Sequence, residues 1–182
     1  MARDIQNLAL IGFMGTGKSS VGRLVASQLH FKFLDTDELI EARGGRSISE
    51  IFAQSGEQAF RDLERQIVAE LDQVRHTVIS TGGGLGASES NLSNLKRHAL
   101  VVCLWASPEV IWERVRTQVH RPLLQDPHPL GQIKRLVAAR ESAYKQADVL
   151  VNTEQRSVKD VAQQVLHQFH WAERTASHSS HP

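Results

Sequence analysis

Residues 12–19 read Gly12-Phe13-Met14-Gly15-Thr16-Gly17-Lys18-Ser19, a complete G-x-x-x-x-G-K-S phosphate-binding loop. An apolar run, Leu8-Ala9-Leu10-Ile11, precedes it. A helical pattern, Val21, Leu24, Val25, Ala26 and Leu29, follows it. A strand feeding a Gly-rich turn and then a helix N-terminus is the geometry this chemistry needs. The glycines let backbone N–H groups turn inward around phosphate oxygens, because no Cβ blocks the turn. Lys18 then reaches the β- and γ-phosphates, and the Ser19 hydroxyl ligates Mg²⁺. The loop implies binding of a nucleoside triphosphate, ATP being the common case.

That loop constrains the rest of the chain to an α/β architecture, and the pattern agrees. Five short apolar runs read as strands: residues 8–13, 31–34, 77–80, 99–106 and 149–151. Several are almost continuously apolar, as in a parallel sheet covered on both faces. Amphipathic stretches lie between them, which makes a βαβ series and a three-layer α/β/α domain. Pro108 after Ser107 marks one helix start, and Ser157 marks the start of the last helix. The 182 residues suit a single domain over 1–171, with a polar, frayed tail over 172–182. Residues from about 36 to 75 form a helical insertion, and residues from about 115 to 130 read as a mobile lid. A net charge of +1 gives no global field pointing to nucleic acid or membrane. The single Cys103 excludes an internal disulfide and reads as a core thiol in a buried strand. With no apolar run of membrane-spanning length and no signal-peptide pattern, the expected location is cytoplasmic.

Several further groups carry chemistry. Asp35-Thr36-Asp37 follows the second strand. If that segment is extended, both carboxylates face one site at the carboxyl edge of the sheet. One would hold Mg²⁺ through water and the other would orient an acceptor hydroxyl; the simpler alternative is that Asp37 or Thr36 is the N-cap of the next helix. Arg61 and Glu64 are three apart on a helical stretch running from Glu57 to about Val74. They are either a solvated ion pair or an Arg fork for an acceptor carboxylate. Gly82-Gly83-Gly84 closes the third strand and permits close approach of backbone and ligand, or else simply makes the loop flexible. No Asp ends that strand, which leaves Asp35 as the metal-side carboxylate. Arg121 lies in the lid, where it can neutralise charge on a transferring phosphoryl group. Arg140 precedes the last strand. His167 and His170 are three apart on the last helix with no third ligand, and read as surface residues.

Taken together, these residues resemble the shikimate kinase family over about residues 8 to 157. The family pattern appears as Gly12 to Ser19, Asp35-Thr36-Asp37, Phe60-Arg61 with Glu64, Gly82-Gly83-Gly84, Arg121-Pro122-Leu123-Leu124, and Arg140 with Tyr144. The resemblance implies a nucleoside monophosphate kinase-like fold with a five-stranded parallel sheet in the order 2-3-1-4-5. It implies MgATP-dependent phosphorylation of the 3-hydroxyl of shikimate, in aromatic amino-acid biosynthesis, by a monomer. In that reading Gly15, Thr16, Gly17, Lys18, Ser19 and Ser20 cradle the phosphates, and Arg121 contacts them from the lid. Arg114 and Arg156 flank adenine. Asp37 contacts the shikimate hydroxyls as base or orienter, and Arg61 and Arg140 clamp the shikimate carboxylate. A backbone N–H in the Gly82–Gly84 loop adds a contact. Ser19 holds Mg²⁺, with Asp35 behind a water. Lys18, Asp37 and Arg121 are the catalytic set.

Three places depart from the family pattern. Glu141-Ser142-Ala143-Tyr144 stands where a Pro-Leu-Tyr type run is common, Gln146 where an acid is frequent, and Leu85-Gly86 after the glycines is unusual. Two other readings share the phosphate loop. One is a kinase for gluconate or a nucleoside monophosphate. The other is a non-catalytic relative that binds without turnover.

Overall fold

The computed structural model describes residues 3–117 and 127–178. Strands β1 (Asn7–Ile11), β2 (Lys32–Asp35), β3 (Thr77–Ser80), β4 (Ala99–Trp105) and β5 (Val149–Asn152) pair in parallel. Their order is β2-β3-β1-β4-β5, as the resemblance implies. The helices among the described residues are α1 (Lys18–Leu29), α2 (Thr36–Gly44), α3 (Ile48–Leu71), α4 (Glu89–His98), α5 (Pro108–Val115), α6 (Pro129–Tyr144) and α7 (Val158–His178). Alternate residues of each strand face opposite layers. Ala9, Ile11, Val101 and Cys103 pack with Ile67, Leu92, Ile111 and Ile133 of α3 to α6. Leu8, Leu10, Val102 and Leu104 pack with Val21, Val25, Val161 and Phe169 of α1 and α7. Burial on both faces is why these strands read as unbroken apolar runs.

Local sequence sets most helix boundaries. Ser47 and Glu50 form a reciprocal capping box at the start of α3. Ser157 and Asp160 do the same for α7: Asp160 N donates to Ser157 Oγ, and Ser157 N donates to Asp160 Oδ2. Pro108 opens α5 as expected, but the Ser107 side chain makes no cap bond there. Its backbone N–H donates to Glu154 Oε1 instead. The stretch expected from Glu57 to about Val74 is part of a longer helix, Ile48–Leu71, kinked at Gly56 (φ 78°). The frayed tail expected from residue 172 is corrected: α7 continues to His178. Ala172 falls three residues after buried Phe169 and is itself buried, so the apolar stripe holds that extra turn down. Both ends of the region expected as a lid are helical, Val115 closing α5 and Pro129 opening α6. Among the described residues, no helix is long and apolar enough to cross a membrane.

Opposite the carboxyl edge, the sheet is closed by a buried polar cluster with a pH consequence. Asn7 is fully buried, and its Oδ1 accepts from Thr77 N at 3.1 Å. That acceptor fixes the amide, so Nδ2 donates to Val74 O (2.9 Å) and faces His98 Nδ1 at 3.0 Å. His98 Nδ1 must therefore accept, and the imidazole is neutral. Burial holds the His98 pKa below its ordinary value of 6.5; Asp72 opposes this, while Arg75, Arg97 and Arg3 add to it. A depressed folded-state pKa means the unfolded chain binds the proton more readily. Stability from this cluster is complete above about pH 6.5 and is lost as pH falls below it. Tm is expected to drop between about pH 7.5 and pH 5.5, and to drop less in His98→Asn. Equal slopes in the two proteins would assign the dependence to other groups.

Candidate active site

The phosphate loop joins β1 to α1 at the carboxyl edge of the sheet. Gly12 has φ 134°, and a Cβ there would sit 2.2 Å from Leu104 O, so both backbone and space demand glycine. Thr16 Oγ1 (2.8 Å) and Lys18 Nζ (2.9 Å) both donate to Phe13 O, folding the loop over itself. Gly17 is the N-cap of α1 and offers no side-chain cap, so the first N–H groups of that helix are open to an anion.

Asp35 and Asp37 reach the site by a different route from the extended segment expected. The chain turns into α2 at Thr36, with Asp35 as N-cap accepting from Asp37 N at 3.1 Å. The cap is thus Asp35 rather than Thr36 or Asp37, and capping uses one oxygen and leaves the second for other work. Asp35 Oδ2 accepts from Ser19 Oγ at 2.8 Å. Thr36, fully buried, accepts from Gly82 N at 2.8 Å and ties α2 to the glycine loop.

The three glycines form a floor on which three functional side chains lie. A Cβ on Gly82 would meet Asp37 Oδ1 at 2.1 Å, one on Gly83 would meet Arg140 Nη1 at 3.5 Å, and one on Gly84 would meet Arg61 Nη1 at 2.7 Å. A larger residue at Gly82 or Gly84 would have to displace Asp37 or the Arg61 guanidinium from the floor. Arg140 Nη1 (3.0 Å) and Tyr144 Oη (3.1 Å) both donate to Gly83 O, which holds the floor against α6. Burial pushes the Tyr144 phenol up to about 12, so it remains a donor.

Arg61 and Glu64 are paired at 2.6 Å, but the pair is not the solvated one that spacing alone suggests. The Glu64 side chain is 3% exposed against 37% for Arg61. Burial raises the Glu64 pKa, and pairing with Arg61 only partly offsets it. On the more open Arg61, burial is outweighed by Glu64 and Glu57, and its pKa rises. The Arg61 guanidinium is thereby held at its tip, Nη1 donating to Glu64 and Nη2 to Glu57, while Nη1 lies over Gly84. The ion pair is present, and the same guanidinium lines the cleft.

Lys18, Ser19, Ser20, Asp35, Asp37, Arg61 and Arg140 line one cleft of about 410 Å³, with Gly15, Gly17, Gly83 and Gly84. Thr16 and Gly82 are buried behind it. Ile48, Phe52 and Phe60 form its apolar wall, with the Phe52 and Phe60 rings 4.7 Å apart. Ile48 and Phe52 were not singled out by sequence; their i, i+4 spacing was the available signal. Arg114 and Arg156 do not line this cleft. Arg114 donates to Gly15 O and to Thr153, and Arg156 donates to Asn152 O and Asp160 O. Arg121, with Pro122-Leu123-Leu124, lies outside the described residues. Cys103 is buried in β4, where burial pushes its thiol up to about 12, and it is no nucleophile. Gly86 is required by packing, since a Cβ would lie 2.7 Å from Ile11 Cβ. Gln146 and Ser142 are exposed, and the Gln146 side chain donates to Glu89, which does not line the cleft.

A family model described as shikimate kinase matches residues 14–170. The shikimate kinase of Thermodesulfovibrio yellowstonii is 42% identical over 165 residues, covering 91% of this chain and 95% of that protein. That of Geobacter sulfurreducens is 44% identical over 162 residues, covering 89% and 90%. Among solved structures, a shikimate kinase from Acinetobacter baumannii in complex with shikimate superposes with a TM-score of 0.87 at 34% identity. It covers 92% of this chain and 94% of its own. Identity and fold thus agree across the segment that carries the cleft, and the chain belongs to the shikimate kinase family.

Proposed function

We propose that the chain transfers the γ-phosphoryl group of ATP to the 3-hydroxyl of shikimate, giving shikimate 3-phosphate and ADP. The observation that carries this reading is the glycine floor, which sets Asp37, Arg140 and Arg61 side by side in the cleft that the phosphate loop closes. Two guanidiniums suit one compact carboxylate, because each offers a planar fork of donors. Asp37 then meets a hydroxyl of the acceptor, and Lys18 meets the phosphates. The hydroxyl oxygen forms the new bond to phosphorus as the bond to the ADP oxygen breaks, and the hydroxyl proton passes, late in the step, to Asp37. Such a loose transition state needs positioning and positive charge more than covalent help. Arg121 is assigned to the phosphates from the segment after α5.

Ser19 and Asp35 fit a magnesium ion: both present hard oxygens, 2.8 Å apart, and such ions are held by few protein ligands plus water and phosphate. Bound there with ATP, the ion supplies neutralisation of the β- and γ-phosphate charge. The Ser19–Asp35 hydrogen bond orients the Ser19 lone pairs for it. The same reading places the enzyme in the cytoplasm as a monomer acting on two small molecules.

ADP release on mixing MgATP with shikimate tests the activity. A finer test is Arg61→Lys, which keeps the charge and loses the fork. KM for shikimate is expected to rise by about tenfold or more, with KM for ATP little changed. An unchanged shikimate KM would return Arg61 to a purely structural ion pair with Glu64.

A further inference from the structure

Thr153 is a buried residue that lines no part of the cleft, yet its bonds lead into it. It sits just after β5. Its N–H donates to Trp105 O at 2.9 Å, and its hydroxyl proton goes to the same carbonyl at 3.2 Å. With that proton committed, the Oγ1 lone pairs are left to accept, and Arg114 Nη1 donates to them at 2.9 Å. Arg114 Nη2 donates to the Thr153 carbonyl at 2.7 Å. Gripped by both atoms, Arg114 also sets Nη1 on Gly15 O at 3.2 Å. Helix α5, which carries Arg114, is seated directly on the loop: a Cβ at Gly15 would meet Val115 Cγ1 at 2.6 Å.

The Gly15 carbonyl matters because of what lies across its peptide. A trans peptide is planar, with C=O and N–H pointing in opposite directions. Turning Gly15 C=O toward the Arg114 guanidinium turns Thr16 N–H to the opposite side of the peptide, and N–H groups of such loops collect around phosphate. Gly15 has φ 75°, and a glycine peptide flips easily. A peptide left to flip must be ordered at the moment of binding, which weakens affinity.

We infer that Arg114 and Thr153 brace the phosphate loop, with Thr153 as the positioning residue that presets Thr16 N–H for the polyphosphate of ATP. This rests on the kinase reading above and adds to it a role for Arg114 toward phosphate, beside the adenine contact that the resemblance implies. Thr153→Val keeps the shape and removes the lone pairs; Thr153→Ser restores them.

The experiment measures Kd for ADP by calorimetry, and Ki for inorganic tripolyphosphate competing with ATP, in the wild type and both variants. Thr153→Val is expected to weaken both ligands by about tenfold, the worth of one hydrogen bond to a charged group. Thr153→Ser is expected to stay near wild type, and KM for shikimate is expected to hold in both. An ADP Kd within about twofold of wild type in Thr153→Val overturns the brace. So does a Thr153→Ser protein as weak as Thr153→Val, since that assigns the loss to packing. Full tripolyphosphate affinity in Thr153→Val also overturns it, because the loss would then lie on the base. ADP binding needs no acceptor, so failure of wild-type turnover with shikimate would be seen separately from failure of the brace.

Discussion

Asp37→Asn is expected to lower kcat by about 10²–10⁴-fold, the range for loss of a positioned proton acceptor. The substitution is nearly isosteric, which matters because Gly82 leaves so little room beside Asp37 Oδ1. The amide still accepts a hydrogen bond, so KM for shikimate should change far less than kcat. What it cannot do is take a proton or present a full negative charge to the hydroxyl. ADP affinity should be retained, because Asp35 rather than Asp37 contacts Ser19 and caps α2. Steady-state kinetics with ADP titration checks each part. A variant with near-normal kcat would remove Asp37 from the chemistry and leave it as a shikimate contact only.

Lys18→Met is expected to cost about 10²–10³-fold in kcat, as loss of one preorganised charge at the transferring group does. Lys18 is largely buried, and its Nζ already sits on Phe13 O within the loop. Reaching a phosphate therefore exchanges one acceptor for another without unfolding the loop. Met keeps the apolar stem in place and removes the charge, so Tm should move little. Rapid-quench measurement of the chemical step separates this loss from product release. A loss of tenfold or less would shift charge stabilisation onto the arginines.

The residue identities at the site were largely legible in the sequence, because the phosphate loop is local and its neighbours occur in a recognisable order. Geometry that depends on distant partners was not. Asp35-Thr36-Asp37 reads as an extended segment because it follows a strand, but the helix N-cap role of Asp35 bends it at Thr36. Gly82-Gly83-Gly84 reads as a close approach for a ligand, but that Asp37, Arg140 and Arg61 lie on it, each from a different helix, is not local information. Arg61 and Glu64 read as a surface pair because spacing gives a shared face but not what covers it. Glu64 is buried by packing that no local pattern encodes. The bonds of Arg114 to Gly15 and Thr153 join residues far apart in the chain, and no local pattern shows them. The tail was misjudged because its composition is polar, although the apolar spacing of α7 carries one turn further to Ala172.

The first measurement to make is product identification after MgATP is mixed with shikimate, gluconate and AMP together, read by phosphorus NMR. The expected outcome is one new phosphate ester, on the 3-hydroxyl of shikimate, formed in step with ADP. Phosphorylated gluconate, or conversion of AMP to ADP, would keep the phosphate loop as a kinase element but break the assignment of Arg61 and Arg140 as a clamp for a compact carboxylate. No ester from any acceptor, in a protein that binds ADP, would make the chain a non-catalytic member of its family.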